Sequence, residues 1–113
     1  MGIQIGSRLV GSGERPLIIA EIGINHGGSL SEAKKIVDAA AEVGVEVVKH
    51  QTHIAGEEMS SLAKKVIPGN SKDSIYSIIE DCSLSESDEF ALQEYVLEKE
   101  MIKLAMRHLH VCI

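Results

Sequence analysis

The sequence predicts an α/β fold in which two to three βα units form part of a parallel sheet. Residues 17–23 (LIIAEIG) form a short, nearly uncharged run with β-branched side chains, which suits a strand buried on both faces. Residues 45–51 (VEVVKHQ) form a second such run, and a helical pattern separates the two. Strand, helix and strand in this order, within about thirty residues, are typical of a βαβ unit.

Three helices are predicted. The first begins after Ser29 or Ser31, either of which can cap it, and Gly44 ends it. The third begins at Ser85, three residues before an acidic residue, and runs to about Lys99. Apolar residues recur at helical spacing in all three: Ala33, Ile36, Val37 and Ala40 in the first, Ile75, Ile78, Ile79 and Cys82 in the second, and Leu92, Tyr95 and Val96 in the third.

A long connection, residues 52–70, follows the second strand and ends in the turn-forming run IPGN. We expect it to be the longest irregular segment, because long loops in compact domains usually have a functional reason. We also expect it to bend back over the strand ends and to bring Asn70 towards Gln51. Residues 101–113 stand where a third strand is due, although basic residues interrupt their apolar pattern.

The composition excludes several classes of protein. The formal net charge is -6, with 11 basic and 17 acidic residues, so the chain lacks the basic clusters that bind nucleic acid or anionic membranes. No apolar run approaches the roughly 20 residues of a membrane span. We therefore expect a cytoplasmic protein without nucleic-acid or membrane partners. Cys82 and Cys112 form no paired framework that would indicate a disulfide.

Polar side chains stand at the carboxyl end of each predicted strand. Because side chains alternate along a strand, Glu21 shares a face with residues 17 and 19, and Lys49 and Gln51 share a face with residues 45 and 47. This is the end of a parallel sheet where α/β enzymes build their sites, so the three groups can bind an anionic substrate. The alternative is that Glu21 and Lys49 form only an ion pair between neighbouring strands, and the spacing does not decide between the two.

The same segments resemble the N-acetylneuraminate (sialic acid) synthase family. Residues 18–28 (IIAEIGINHGG) are similar to its opening signature, and residues 46–53 (EVVKHQTH) to its second strand. Further similarities follow in family order to about residue 102: EMS at 58–60, VIPGN at 66–70, SIY at 74–76, DE at 88–89 and EYV at 94–96. The His-Gln-Thr-His form looks more like the sialic acid branch than like synthases of other nonulosonates, in which an aromatic residue commonly replaces the first histidine.

The resemblance implies a fold and an activity. The fold is a (β/α)8 TIM barrel, of which residues 1–102 would be the amino-terminal part. The activity is the condensation of phosphoenolpyruvate with N-acetylmannosamine to sialic acid and phosphate by a homodimer that uses a divalent metal, usually manganese. The alternatives are a related synthase of another nonulosonate or a spore-coat sugar, and a non-catalytic binding remnant.

The resemblance also implies roles for residues of the matched segments. Lys49 would hold the phosphate or carboxylate of phosphoenolpyruvate, and Gln51 would orient the substrate by hydrogen bonds. Glu21 would be the catalytic acid–base or charge-stabilising group, since positive charge develops at C2 and water must add there. Asn70 would contact the sugar.

Histidines of the matched segments favour a structural role. Asn25 and His26 belong to the opening signature and would shape the first loop or contact the substrate directly. His50 and His53 would point to opposite faces of an extended segment, which argues against a shared metal. In the family, the histidine ligands of the metal lie later in the barrel than this chain reaches, so no metal ligand is expected here.

The similarity ends after residue 102, and residues 103–113 form a divergent tail. Relatives have a third strand resembling Phe-Ile-Ser-Thr-Pro-Phe-Ser-Arg at this place. A frameshift or truncation explains the change, because permitted codons for residues 103–111 can spell a similar Pro-Phe-Thr-Arg in another frame; a deliberately different ending is the alternative. His108, His110 and Cys112 would line one strand face and could ligate zinc, but they lie in this tail. We expect the chain to be an incomplete, inactive fragment.

Overall fold

Residues 1–107 form two sheets. In the computed structural model, which describes the backbone of residues 1–107 and the side chains of residues 1–105, an antiparallel hairpin of β1 (Gly2–Ile5) and β2 (Arg8–Gly11) comes first. Three parallel strands, β3 (Ile19–Gly23), β4 (Val47–Thr52) and β5 (Ile102–Arg107), then pair in the order β3-β4-β5. The predicted α/β fold is therefore confirmed, and β5 is the third strand.

Helices connect the parallel strands. The helix α1 (Leu30–Glu42) joins β3 to β4, whereas α2 (Ala55–Glu58), a 3-10 turn (Ala63–Lys65), α3 (Ile75–Asp81) and α4 (Glu86–Glu98) lie between β4 and β5. A serine precedes each of α1, α3 and α4, and its side chain accepts a hydrogen bond from the backbone N–H three residues later. These serines are Ser29, Ser74 and Ser85. The three predicted helices are confirmed, and Gly44 follows the end of α1 with a φ of 78°.

The connection after β4 is less irregular than predicted, because it contains α2 and the 3-10 turn. Glu58 stabilises the start of this segment. Its carboxylate accepts a hydrogen bond from the backbone N–H of Ile54 at 2.6 Å and lies 2.7 Å from the ring of His53. The helix α2 thus buries an acidic side chain, that of Glu58, and its sequence lacks the apolar periodicity from which a helix is predicted.

One face of the parallel sheet is covered and the other is open. Ile22 of β3 and Val48 of β4 pack with buried residues of α1 and α4: Ala33, Val37, Ala40, Leu92 and Val96. On the opposite face Ile19 of β3 and Leu104 of β5 are exposed. We call this second side the open face; Glu21 and Lys49 lie on it, at alternate positions to Ile22 and Val48.

The hairpin is attached at the amino ends of the parallel strands. The guanidinium of Arg8 lies 3.0 Å from Glu46, the residue before β4, and donates to the backbone carbonyls of Arg15 and Pro16. Arg15 adds a second contact to Glu46 at 2.9 Å. This basic cluster is thus neutralised in part and stands at the opposite end of β4 from the predicted site. Among residues 1–107, no helix is both long and apolar enough to cross a membrane.

Candidate functional site

Glu21 and Lys49 meet on the open face. They are direct partners in the register of β3 and β4, and the ammonium of Lys49 lies 2.6 Å from the Glu21 carboxylate. The side chains are 27% exposed for Lys49 and 46% exposed for Glu21. The ion pair that was one of the two alternatives in the sequence analysis is therefore present. Because both side chains are partly exposed, a solute can reach the pair, and the pair contributes little to stability.

Gln51 is the next residue of β4 on the same face as Lys49. Its side-chain oxygen lies 3.2 Å from Nε2 of His53, whose other ring nitrogen lies 2.7 Å from Glu58. Glu58 is buried, so it fixes the orientation of His53 and, through it, of the Gln51 amide. The structure thus brings together Glu21, Lys49 and Gln51 at the carboxyl ends of two neighbouring strands.

Asn25 and His26 shape the loop after β3. The Asn25 amide donates to the carbonyl of Ile22 at 2.8 Å, and the backbone N–H of Gly28 donates to Nδ1 of His26 at 3.2 Å. His26 is only 3% exposed and lies on the helix-covered side of the sheet, with its ring centroid 5.1 Å from that of His50. These contacts support the loop-shaping role for both residues.

Asn70 stands in a turn of the connection after β4. It is exposed, and a hydrogen bond from the Ser71 N–H to the Pro68 carbonyl closes the turn at 3.0 Å. Within the described part of the chain, no hydrogen bond joins Asn70 to Gln51 or to the strand ends. The expected contact of Asn70 with the sugar therefore stays a prediction.

The structure shows a buried polar cluster that the sequence analysis missed. Nε2 of His50 lies 2.7 Å from one oxygen of Glu89, and the ammonium of Lys103 lies 3.1 Å from the other. All three side chains are largely buried between β4, β5 and α4. A signal was present, because strand alternation places His50 with Val48, and helical spacing places Glu89 on the side of α4 that carries Leu92.

The surroundings shift two pKa values in this region. Burial opposes ionisation of Glu89, but hydrogen bonds from His50 and Lys103 outweigh it, and the pKa of Glu89 is lowered. Burial, helped by the neighbouring ring of His50, lowers the pKa of His26 below its usual 6.5. His26 is accordingly neutral at pH 7.

Residues 1–107 do not supply a site for a divalent metal. Among them, no group of three or more histidine, cysteine or acidic side chains could hold a metal ion. His50 and His53 contact different carboxylates, those of Glu89 and Glu58, and so do not act as a pair. His108, His110 and Cys112 lie outside the described residues. The divalent metal implied by the resemblance remains a prediction.

Comparison with known proteins identifies the family. The model of the NeuB family matches residues 36–107. The chain belongs to the NeuB family. It is 35% identical over 103 residues to the spore coat polysaccharide biosynthesis protein SpsE of Bacillus subtilis, covering 90% of this chain and 28% of that protein. It is 38% identical over 90 residues to the N,N'-diacetyllegionaminic acid synthase of Legionella pneumophila, covering 74% of this chain and 25% of that protein.

The fold agrees with this assignment. The structure superposes on the crystal structure of an N-acetylneuraminic acid synthetase from Leptospira borgpetersenii in complex with citrate, with a TM-score of 0.75 and 24% identity, over 95% of this chain and 34% of that chain. This NeuB-family chain is therefore part of a (β/α)8 barrel. It spans about a quarter of the length of the curated relatives it matches. The family match also extends through β5, into the segment that the sequence analysis treated as divergent.

Proposed function

We propose that the chain is the amino-terminal part of a phosphoenolpyruvate-dependent NeuB synthase and supplies the anion-binding part of its site. One observation carries the proposal: a partly exposed lysine, Lys49, stands at the carboxyl end of β4 on the open face, with Glu21 2.6 Å away. In barrels of this class the open face is the interior, and catalytic groups gather at the carboxyl ends of the strands.

Each of the three residues has a role in the proposed reaction. Lys49 exchanges its contact with Glu21 for the phosphate or carboxylate of phosphoenolpyruvate, and Gln51 orients the bound substrate. C3 of phosphoenolpyruvate then attacks the sugar aldehyde, whose C=O π bond breaks as its oxygen takes up a proton from solvent, and positive charge develops at C2; the water that adds at C2 gives a proton back. Glu21, released from Lys49, stabilises this charge or accepts a proton from the water that adds at C2, after which phosphate leaves by C–O cleavage.

The proposed sugar is N-acetylmannosamine, which would give sialic acid. The sequence identity to a legionaminic acid synthase and to a spore coat polysaccharide protein favours a second candidate for the sugar substrate. This candidate is another N-acetylated amino sugar that undergoes the same class of reaction. Titration of both sugars in the presence of phosphoenolpyruvate separates the candidates. The sugar that the protein uses is expected to shift the amide signal of Asn70, which the proposal assigns to sugar contact.

Binding without turnover is expected of the 113-residue chain. Residues 1–107 contribute Glu21, Lys49 and Gln51, whereas turnover needs further donors and, by the family pattern, a manganese ion and a homodimer. Incubation with phosphoenolpyruvate, N-acetylmannosamine and Mn²⁺ should therefore release no phosphate above the blank. Sustained phosphate release would show that this chain is a complete enzyme.

Calorimetric titration of phosphoenolpyruvate into the wild-type chain and into Lys49→Met tests the binding role. The substitution should weaken binding about ten- to hundredfold, because it removes a charge-assisted contact. Lys35→Met is the matched control: Lys35 also pairs with a glutamate, at 2.7 Å, but lies on α1 away from the open face. Equal affinities for wild-type and Lys49→Met would refute the proposal.

A further inference from the structure

The buried cluster behind the site contains two ring nitrogens without partners. His26 Nε2 and His50 Nδ1 are both buried, and within the described residues neither atom accepts or donates a hydrogen bond. Their rings are neighbours, with centroids 5.1 Å apart and planes inclined by 44°. Buried polar atoms in native proteins are almost always hydrogen-bonded, so this pair calls for an explanation.

The partners of the other two ring nitrogens define where the protons are. The N–H of Gly28 donates to His26 Nδ1, so this atom is an acceptor and the neutral ring carries its hydrogen on Nε2. The Glu89 carboxylate can only accept, so His50 Nε2 carries a hydrogen, and Nδ1 is the remaining nitrogen that can accept one. Lys103 contacts the other oxygen of Glu89 at 3.1 Å. The two unpartnered atoms are therefore one donor and one acceptor.

We propose that one ordered water bridges His26 Nε2–H and His50 Nδ1, and that this link makes both histidines positioning residues for the anion site. The link completes a continuous chain of contacts from the Gly28 N–H through the two rings to Glu89 and Lys103. It spans the loop after β3, the strands β4 and β5, and α4.

The position of His50 in the sequence connects this chain to the site. His50 stands between Lys49 and Gln51 in β4, with its side chain on the opposite face. Fixing its ring therefore fixes the rotation of β4 about its axis and the direction in which the two neighbouring side chains point. His26 acts likewise on the loop that follows Glu21. The positioning role rests on the proposed function, whereas the hydrogen bond does not.

Long-range ¹H–¹⁵N correlation spectra of the labelled 113-residue chain at pH 7 test the link without any variant. Both rings are expected to carry a hydrogen on Nε2, with the Nδ1 signal of His50 shifted as a hydrogen-bond acceptor. A nuclear Overhauser effect from the His26 ring N–H to water is expected of the bridging molecule, whereas scalar coupling between the two nitrogens would show a direct bond and overturn the bridge. A ring protonated on Nδ1 in either histidine, or a His50 Nδ1 signal without the acceptor shift, would overturn the inference.

Variants on one helix test the positioning role. Glu89→Gln removes the charge that orders His50 and should weaken phosphoenolpyruvate binding about three- to tenfold. Glu94→Gln, on the exposed side of α4, is the matched control and should change nothing. His50→Gln keeps a donor for Glu89 but loses the acceptor for His26, so it should accelerate exchange of the His26 ring N–H.

The two proposals fail in different ways. If both tautomers are found as expected but the wild-type chain does not bind phosphoenolpyruvate, the proposed function is wrong and the hydrogen bond stands. If the wild-type chain binds and Glu89→Gln binds equally well, the positioning role is wrong and the proposed function stands.

Discussion

Replacing Glu21 by glutamine should strengthen the binding of phosphoenolpyruvate by the isolated chain. In the structure the Glu21 carboxylate lies 2.6 Å from the ammonium of Lys49. An anion must displace this carboxylate before it can use Lys49. Glutamine keeps the shape of the side chain but removes the competing charge, so Glu21→Gln lowers the cost of binding.

The magnitude follows from the geometry of the pair. Two unit charges at 2.6 Å attract each other by about 1.6 kcal/mol in a medium like water. Ion pairs as exposed as this one contribute about 0.2 to 1 kcal/mol in measurements, because solvent screens them and holding the side chains costs entropy. Taking about 0.5 to 1 kcal/mol, the dissociation constant of phosphoenolpyruvate should fall about two- to fivefold in Glu21→Gln.

Calorimetric titration at low salt measures this change, with Glu32→Gln as the matched control. Glu32 also holds a lysine, Lys35, at 2.7 Å, but on the outer surface of α1, so its substitution should leave the affinity unchanged. The free energy of unfolding should fall by no more than about 1 kcal/mol in either variant, because each loses one partly exposed ion pair. Weaker binding by Glu21→Gln would mean that Glu21 contacts the ligand favourably and does not compete with it, which would refute the reasoning.

Three further predictions concern the stability of the fold, each measured by urea unfolding. Leu92→Ala should lower the free energy of unfolding by about 2 to 5 kcal/mol, because the Leu92 side chain is fully buried. Leu97 is 58% exposed on the same helix, so Leu97→Ala should change this free energy by no more than about 0.5 kcal/mol. Equal losses in the two variants would contradict the packing. Gly28→Ala should destabilise the fold by well above the roughly 1 kcal/mol of Gly27→Ala, since both glycines have positive φ but only at Gly28 would a Cβ clash with a backbone oxygen, that of Asp81. Similar losses of stability would disprove this close approach. The pKa of His26 is lowered in the folded chain, so the unfolded chain binds the proton of this histidine more readily, and the free energy of unfolding should decrease as pH falls below about 6.5. The decrease should be smaller in His26→Gln. The same pH dependence in the wild-type chain and in His26→Gln would show that His26 is not the source of the decrease.

Local signals in the sequence were sufficient for the helices α1, α3 and α4 and for the faces of the strands β3 and β4. A serine and a glycine mark the ends of α1, and Ser85 marks the start of α4, because caps act over three or four residues and are visible in one segment. The faces of β3 and β4 followed from alternation, so the meeting of Glu21 and Lys49 could be predicted without coordinates.

Features that depend on distant segments could not be predicted. The hairpin β1–β2 is held by Arg8 to Glu46, 38 residues away, and no local pattern revealed it. Lys103 interrupts the apolar pattern of the third strand, yet it is accommodated in β5 because Glu89 of α4 supplies its counter-charge. The position of Asn70 depends on how the whole connection after β4 folds, which a turn signal alone does not determine.

The most direct test of the account is a map of the backbone amide signals that move when phosphoenolpyruvate is added to the ¹⁵N-labelled chain. We predict that the largest shifts occur at Glu21, Lys49 and Gln51, where the open face meets the carboxyl ends of β3 and β4. The chain offers a second basic cluster, Arg8 and Arg15, at the opposite end of β4. Shifts confined to that cluster, with the signals of Lys49 and Gln51 unmoved, would contradict the account.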